Sequence, residues 1–486
     1  MTVLTHEEIV GAAADAEPDL PRIGWENFFR DGTVTASSED ADHPKALAYD
    51  GFTYDGWQPT AGGDQSIAVE VEPAYVSLPG TNGNCPSTPH DAAHNVTGDR
   101  TYKARVALDS LAPAAFQGFL CKLQSLTNGN ARLGLRPSGK LRFEWSEGGV
   151  AKTAESTVTV SSVGITVLQE VIYVAQHDVD NGAVGNDVDF SYSTDGGQSY
   201  SPLGSTVTGS GVAAPDSPSV VLAAFAGSSA LSEVPDGKGY AAWVYSGLHD
   251  GITGGTLVAS FDPADDADIG DLSFVSSATG ETWTINQSGA EPAELVFPGT
   301  ANYMAVAAHT LEGCTLTPQA SRDGTTWADL DTAYVAVDNR PIVWEFAKIG
   351  RTRWRLKINA PAVFRLGAIH VGAKLQLPAA LPVGWQPPTL NEKIEYSNVM
   401  SQGGQLLGRH VVRRGIETRV TSDPMTYLFA RDEWLAFLEA AERFAVFFWW
   451  SMGNQAEIVY GGIKDPSAQF TGRDVSARFE IEGLNR

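Results

Sequence analysis

Short runs of alternating apolar and polar residues cover most of the chain and predict a protein built from β-strands. In the run SIAVEV, the apolar residues Ile67, Val69 and Val71 fall on one face, as in a strand that is buried on one side only. The 50 glycines and 26 prolines are spread along the chain, as expected where many tight turns join short strands. The segments RPSGK (136–140) and STDGGQS (193–199) each carry a glycine suited to a hairpin turn.

Helical periodicity is convincing in one segment, 424–444. Its apolar positions that fall near one face are Leu428, Trp434, Leu438 and Ala441. Strand-like text follows it as AVFFWW, AEIVYGGI and ARFEIEGL. This order predicts a small C-terminal α+β domain over 391–486, preceded by a Pro-rich linker at 376–390. At the other end, residues 1–22 are weakly patterned and are expected to form an arm that orders only against a neighbour.

Two separated stretches carry one sandwich-like pattern. The first reads DGTVTASSEDADHPKALAYDGFTYDGWQPT and SIAVEV, and the second reads NYMAVAAH, CTLTPQASRDGTTW, IVWEF, TRWRLKI and FRLGAIHV. Together they resemble a discoidin module. The resemblance implies one discontinuous β-sandwich made of residues 23–78 and 286–375, with Trp327 buried in a hairpin turn.

The sequence between these stretches shows a separate series of predicted strands. The strings RVALDSLAP, LGLRPSGKLRFEWS, FSYSTDGGQSYSPLGSTVT, AAWVYSGLHDGITGGTLVASFD and GETWTI resemble a concanavalin A/laminin-G-like lectin domain. Similar strings recur in phage tail and minor tail proteins, and the C-terminal text looks like that of siphophage tail-tip proteins. The predicted fold is therefore mainly β: two antiparallel β-sandwiches, the second inserted at 79–285, plus the C-terminal α+β domain as an anchor.

The charge of the chain is acidic and uneven. Its 33 Lys and Arg stand against 58 Asp and Glu, for a net charge of −25, which argues against nucleic acid as a partner because phosphate binding needs basic groups. Residues 376–486 carry 11 basic and 13 acidic groups, so most of the negative charge lies before them. A nearly neutral C-terminal domain is better suited to docking on another protein.

Neither the cysteines nor the chain start indicates secretion. Cys85, Cys121 and Cys314 are too few and too scattered for a disulfide framework or a zinc site. The opening MTVLTHEEIV has no signal-peptide pattern, and no apolar run reaches membrane-spanning length. We expect synthesis in a host cytoplasm, no membrane insertion and, with the resemblance above, location in the tail of a virion.

The acidic residues do not form a catalytic pattern. Glu144 and Glu147 are the best-placed carboxylates, but their odd spacing points them to opposite faces of a strand. Asp187 and Asp189 share a face without a general-acid partner. Serine-hydrolase elbows, P-loops and dinucleotide-binding glycine patterns are also missing from the sequence. We expect no catalytic residues and no enzyme activity.

Calcium is the one cofactor that the resemblance implies. In the discoidin family a Ca²⁺ often sits in the loop that corresponds to ALAYDGFTYDGW. Carried over to this chain, Asp50 is the best side-chain ligand, and Thr53 and Asp55 are weaker candidates. The alternative is that the two Asp-Gly pairs of this loop are ordinary turn residues.

Loop aromatics suit the binding of sugars, because pyranose rings stack on aromatic faces. The candidate glycan-binding residues are Tyr49, Phe52, Tyr54, Tyr75 and Tyr200. Burial under neighbouring domains is the alternative for each. The tryptophans in strand-like text are expected in the cores: Trp57, Trp145, Trp243, Trp327, Trp344 and Trp354.

An aromatic run near the C-terminus leaves two interpretations open. Its members are Phe447, Phe448, Trp449 and Trp450. Alternate residues of a strand face opposite sides, so either both faces are covered within the domain or one face is an assembly surface for another subunit.

These observations favour a structural protein of a phage tail tip, baseplate or tail fibre that mediates assembly and recognises a host-surface glycan. Its expected partners are other tail proteins at the tail tip, baseplate or end of the tail tube, further copies of itself and a host polysaccharide. Two alternatives stay open: a non-catalytic carbohydrate-binding protein of a bacterial cell surface, and a polysaccharide-degrading enzyme.

Overall fold

A computed structural model describes the chain in six segments: residues 20–125, 128–288, 291–382, 384–451, 455–470 and 474–484. Residues 1–19 of the predicted arm lie outside them. All of the strand pairs within these segments are antiparallel, and one small helical segment lies near the C-terminus. The predicted mainly β fold with antiparallel sheets is confirmed.

The chain divides into two compact bodies, residues 1–72 with 298–486 (the discontinuous body) and residues 73–297 (the inserted body). Before the insertion, the discontinuous body has strands β1 (Arg22–Gly24), β2 (Thr33–Ala36) and β3 (Gly63–Glu70). The inserted body has β4 (Tyr75–Pro79), β5 (Pro86–Thr88), β6 (Arg100–Leu108), β7 (Gln117–Ser125), β8 (Asn128–Leu135), β9 (Leu141–Glu147), β10 (Val150–Glu155), β11 (Val171–Asp178), β12 (Gly185–Ser193), β13 (Ser201–Pro202), β14 (Val207–Ser210), β15 (Leu222–Ala224), β16 (Asp236–His249), β17 (Gly254–Phe261), β18 (Ser273–Val275), β19 (Thr282–Ile285) and β20 (Glu294–Val296).

After the insertion, the discontinuous body continues with β21 (Thr300–His309), β22 (Thr315–Ser321), β23 (Ala328–Asp329), β24 (Tyr334–Val335), β25 (Ile342–Gly350), β26 (Arg353–Ala360), β27 (Leu366–Gly372), β28 (Lys374–Gln376), β29 (Glu392–Met400), β30 (Leu406–Met425), β31 (Val446–Trp449), β32 (Val459–Phe470) and β33 (Val475–Leu484). The helices are α1 (Phe28–Asp31), α2 (Pro263–Asp266) and α3, which runs through Tyr427–Phe429, a π-turn at Ala430–Trp434 and Leu435–Ala441. Short 3₁₀ turns occupy Lys45–Ala48, Ala92–His94, Val160–Val163, Pro388–Leu390 and Gln455–Glu457.

One sheet of the discontinuous body joins chain segments from both sides of the insertion. Its order is β2-β3-β26-β22-β23, and β3 pairs with β26 so that Ile67 lies opposite Leu356. A three-stranded sheet, β25-β21-β27, closes the same core, which contains the fully buried Trp57 and Trp354. Trp327, which the sequence predicts to be buried, is only half-buried, because it lies on the sheet surface with the Arg355 guanidinium 3.9 Å from its ring centroid.

A seven-stranded sheet in the order β28-β1-β31-β32-β33-β30-β29 forms the C-terminal part of the discontinuous body. Helix α3 covers it through Trp434 and Phe437, which pack on Phe479 of β33. Two of its strands lie outside the predicted domain 391–486, because main-chain pairing recruits β1 and β28 to its edge. Among the described helices, none combines the length and the apolar composition that crossing a bilayer requires.

The predicted linker 376–390 packs against this sheet instead of acting as a spacer. The Trp385 ring lies 6.4 Å from the ring of Phe448 and 5.4 Å from that of Trp450, centroid to centroid. Its indole N–H donates to the carbonyl of Arg419 at 2.9 Å. Two edge-to-face ring contacts and this hydrogen bond hold Trp385 on the sheet.

The aromatic run is covered on both faces within its own chain. Phe447 and Trp449 pack against the three-stranded sheet, where they contact Tyr303 of β21. Phe448 points the other way and packs into the core under helix α3. Trp450 is partly buried beside it. Of the two interpretations that the sequence left open, the assembly surface at Phe447–Trp450 is wrong and coverage within the chain is right, because strand alternation buries Phe447 and Trp449 in one core and Phe448 in another.

The inserted body is a sandwich of an eight-stranded sheet, β10-β9-β8-β7-β15-β5-β19-β18, and a nine-stranded sheet, β13-β12-β11-β6-β16-β4-β20 with β14 and β17 attached. Its core lies between them, where the Phe119 and Tyr173 rings stack at 5.6 Å. The predicted boundaries 79 and 285 are too narrow. Strands β4 and β20 belong to the inserted body because β4 pairs with both β16 and β20.

Candidate functional site

The loop between Asp50 and Trp57 is anchored at its end in the core of the discontinuous body. The buried Trp57 exchanges two main-chain hydrogen bonds with Leu366, at 2.9 and 3.0 Å, and its indole N–H donates to the carbonyl of Ser38 at 2.9 Å. A Cβ atom on the preceding Gly56 would lie 2.5 Å from the Leu366 carbonyl oxygen. The close approach of the two backbones thus requires glycine at this position.

Two aromatic rings stand exposed at the tip of this loop. Phe52 and Tyr54 are 59% and 77% exposed, and their ring centroids lie 5.8 Å apart. The Asp50 carboxylate accepts the backbone N–H of Phe52 at 2.8 Å across Gly51, which adopts φ 90°. This turn holds the backbone of the loop tip in place, so the two rings are presented together at little conformational cost.

A groove of about 470 Å³ lies beside the same loop, also within the discontinuous body. It is lined by Gly51, Thr53, residues 441–445, residues 460–463, Glu482 and Gly483. Glu442 and Arg443 are exposed and supply charged hydrogen-bonding groups to this lining. The Phe444 ring is held by Arg30, whose guanidinium lies 3.8 Å from the ring centroid.

Apolar ring faces next to polar rim groups form the kind of surface that binds a sugar: the ring faces take the C–H side of a pyranose and the rim groups bind its hydroxyls. Tyr49 has a different position from the one predicted for a ligand contact. Its ring is half-buried against Phe29, 6.3 Å between centroids, and burial raises the pKa of its hydroxyl. It supports the loop from beneath.

The candidate calcium ligands are engaged in turns. Asp50 accepts from Phe52 as above, and Asp55 accepts the backbone N–H of Gly56 at 2.8 Å, while Thr53 lines the groove. In the part of the chain that the structure describes, no three residues among His, Cys, Asp and Glu cluster as metal ligands. Calcium binding here stays a prediction from the resemblance.

Tyr75 and Tyr200 belong to the inserted body, on the outward face of its nine-stranded sheet. Lys238 Nζ lies 4.4 Å from the ring centroid of Tyr75, and Lys103 Nζ lies 5.2 Å from that of Tyr200. Trp243, predicted to be in the core, is half-exposed on this face because it lies opposite Lys103 in the register of β16 and β6. Sequence reasoning missed these lysines, although the alternation in TYKARVALD already places Lys103 and Arg105 on one face.

Glu144 is fixed inside the inserted body. Its carboxylate forms ion pairs with Arg132 and, at 2.8 Å, with Arg142, and the residue is 1% exposed. Arg132 also contacts Glu233 at 2.5 Å. A carboxylate enclosed by two guanidinium groups in a packed sheet has a structural role, and it does not face the half-exposed Glu147.

Comparison with known proteins gives weak relationships. No protein-family profile and no curated protein matches the sequence. Partly similar solved structures include the CBM40 domain of the Ruminococcus gnavus IT-sialidase bound to α2,3-sialyllactose, at 13% identity and TM-score 0.25, covering 35% of this chain and 92% of that one. They also include mouse laminin α1 domains LG4-5, at 11% identity and TM-score 0.26, covering 71% of this chain and 89% of that one.

A phage protein is also among these structures, the tailspike protein 2 of bacteriophage CBA120, at 11% identity and TM-score 0.23. That likeness covers 51% of this chain and 31% of the tailspike. TM-scores this low carry no argument about function, which must come from the surfaces described above.

Proposed function

We propose that the protein is a non-catalytic structural component of a tailed-phage virion that binds a surface glycan through the Phe52–Tyr54 loop and its groove. The proposal rests on the pair of exposed aromatic rings, which stand on an anchored loop beside a polar groove. Two large apolar rings that stand exposed side by side at a loop tip form a small apolar surface that a ligand can cover favourably.

The loop tip and the groove beside it supply two kinds of contact. Phe52 and Tyr54 stack on the apolar face of a sugar ring, as aromatic rings do with C–H groups. Thr53, Glu442 and Arg443 meet hydroxyl groups, and they fix which sugar and which orientation is accepted. Each buried hydrogen bond to a hydroxyl discriminates by about 1–3 kcal/mol when its partner is missing.

The tail location is supported by the sequence resemblance and by the architecture. One sandwich is interrupted in sequence by a second sandwich and is followed by a C-terminal sheet of nearly neutral charge. This organisation suits a protein that docks through one part and binds ligands with the others. Its partners are then other proteins of the tail.

The glycan function is tested with the double variant Phe52→Ala/Tyr54→Ala on an array of bacterial surface polysaccharides. We expect at least a tenfold loss of binding to every glycan that the unchanged protein retains. Tyr427→Ala is the matched control, because Tyr427 is equally exposed, at 59%, but lies on helix α3 outside the groove. Equal binding by the double variant and the unchanged protein would refute the proposed site.

The tail location has its own test. Mass spectrometry and immunogold labelling of purified particles should find the chain at the tail, and its absence from particles would end that part of the proposal.

The non-catalytic role is tested separately. Incubation with the bound polysaccharide should release no oligosaccharides, whereas measurable release would contradict a non-catalytic role.

A further inference from the structure

The outward face of the nine-stranded sheet pairs cations with aromatic rings. We define the cation–aromatic face by six residues: Tyr75, Lys103, Arg105, Tyr200, Lys238 and Trp243. Lys103 and Arg105 lie on β6, Lys238 and Trp243 on β16, and Tyr75 on β4, all on the side away from the core residues Tyr102, Val106 and Val244. Tyr200 reaches the face from the loop before β13.

Lys103 is the centre of this face. Its Nζ lies 5.0 Å from the ring centroid of Trp243 and 5.2 Å from that of Tyr200, and it donates to the carbonyl of Gly251 at 2.9 Å. Within the described segments, no carboxylate forms an ion pair with it. Burial lowers its pKa to about 8, with Arg105 acting in the same direction and Asp250 opposing it. It is a partly desolvated cation whose charge lacks a close counter-ion.

Arg105 and the Tyr200 hydroxyl are polar groups that neighbour Lys103. Arg105 is 25% exposed; it forms an ion pair with Glu170 at 2.7 Å and lies 5.3 Å from the ring centroid of Tyr240. The Tyr200 hydroxyl is buried and finds no hydrogen-bond partner among the described residues. Oxygen atoms of an anionic ligand can accept hydrogen bonds from the remaining donors of Lys103.

The charge of the inserted body makes this face exceptional. Residues 73–297 carry 10 Lys and Arg against 24 Asp and Glu, and three of those 10 basic residues lie on this one face. An acidic protein gains no solubility from gathering its cations against aromatic rings, but an anionic ligand gains a local site of opposite charge.

We propose that the cation–aromatic face binds an acidic sugar unit of a polysaccharide, with the pyranose ring against Trp243 and Tyr200 and the anionic group on Lys103. The ammonium group lies 5.0 and 5.2 Å from the centroids of the two rings, so one pyranose with an acidic substituent is large enough to contact a ring and the cation at once. This site is in the inserted body, so it is additional to the Phe52–Tyr54 groove and stands or falls separately from it.

The test measures binding of the full-length protein to polygalacturonate, dextran sulfate and neutral dextran by biolayer interferometry. Lys103→Gln should weaken binding of the acidic polymers at least tenfold, whereas Lys103→Arg should stay within about threefold of the unchanged protein. The matched control is Lys152→Gln, which removes the same charge from an exposed position on β10 of the other sheet. Thermal unfolding of each variant checks that the fold is intact.

The outcomes separate the sources of the anion. Loss on polygalacturonate alone identifies a carboxylated sugar, and loss on both acidic polymers identifies a site for either anion. Equal binding of dextran, equal loss in Lys152→Gln, or no binding of either acidic polymer would overturn the proposal. The Phe52→Ala/Tyr54→Ala variant should keep its binding to the acidic polymers, so the two sites can fail independently.

The pH dependence gives a second readout. The ammonium form of Lys103 is present below pH 8 and is lost above it, so binding should fall between pH 7 and pH 9. Arg105 is the other cation that faces Lys103. Backbone hydrogen bonds from Thr253 and Ile252 lower the pKa of Asp250, burial raises the pKa of Tyr200 to about 12 and also raises that of Tyr245, and burial lowers the pKa of His249, so these four groups do not change charge in this window. Lys103→Arg should bind with no such fall.

Discussion

The indole N–H of Trp449 donates a hydrogen bond to the carboxylate of Glu345 inside the discontinuous body. The same carboxylate lies 3.1 Å from Nε of Arg22 and 2.8 Å from Nζ of Lys374. All four side chains are buried or nearly so, and they come from β31, β25, β1 and β28. One carboxylate thus compensates two buried cations where the three-stranded and seven-stranded sheets meet.

Glu345→Gln should destabilise the discontinuous body by about 3–5 kcal/mol, because it removes the negative charge that contacts two buried cations. Urea unfolding followed by tryptophan fluorescence measures the change. Glu312→Gln, at an exposed position in the same body, is the control and should change the free energy of unfolding by less than about 0.5 kcal/mol. Similar values for the two variants would show that the buried network is dispensable.

Phe447→Ala should cost about 3–5 kcal/mol of unfolding free energy and leave the oligomeric state unchanged, because the ring fills a core within the chain. Chemical denaturation and size-exclusion chromatography with light scattering measure the two quantities. Leu435→Ala, half-exposed on helix α3, is a control for surface truncation. A changed oligomeric state at unchanged stability would restore the assembly surface that the sequence alone left open.

Gly56→Ala should weaken glycan binding, because its Cβ would push the Phe52–Tyr54 loop away from the Leu366 carbonyl. Overpacking of this kind costs about 1–3 kcal/mol of stability. Gly408→Ala meets open space in the same body and should alter neither property. Retention of full affinity by Gly56→Ala would indicate that the loop position is not needed for binding.

The stability of the inserted body should depend on pH through Asp262. Burial, reinforced by Asp265, raises the pKa of this partly exposed carboxyl from 3.8 to about 7 in the folded state. A raised folded pKa stabilises the fold at low pH, and that contribution is lost as the pH rises through 7. Between pH 5 and pH 8 the free energy of unfolding should therefore fall by about 2 kcal/mol more in the unchanged protein than in Asp262→Asn. Asp268 is exposed and follows helix α2, which Asp262 precedes. The control variant Asp268→Asn should keep the full pH dependence of the free energy of unfolding.

The fold class and the exposed Phe52–Tyr54 loop could be predicted from the sequence, because strand alternation and turn residues are local signals. Residues such as Ile67 and Val69 alternate as buried strands do, and both are buried in the structure. Phe52 and Tyr54 lie between glycines and aspartates that cannot continue a strand, which is why their exposure was foreseeable. Trp57, in the same stretch, was correctly assigned to the core.

Two features could not be obtained this way. Strand β1 has three residues, too few to show any period, so its place in the C-terminal sheet depends on partners far along the chain. Trp243 stands in the uninterrupted run YAAWVY, where apolar residues on both faces hide the alternation. A bulge between Gly239 and Ala241 then sets which residues of β16 face outward.

The pairing of β1 with β31 also determines when this sheet can form during synthesis of the chain. Ile23 is synthesised 425 residues before its neighbour Phe448, and β3 likewise waits for β26. The sheet edges of the discontinuous body therefore stay open while the intervening residues are synthesised, and the inserted body, which holds all of its own strands, can fold during that interval. A chain that stops before residue 446 contains the complete inserted body but lacks the β31 partner of β1, and the unpaired strand edge that remains is of the kind that promotes aggregation.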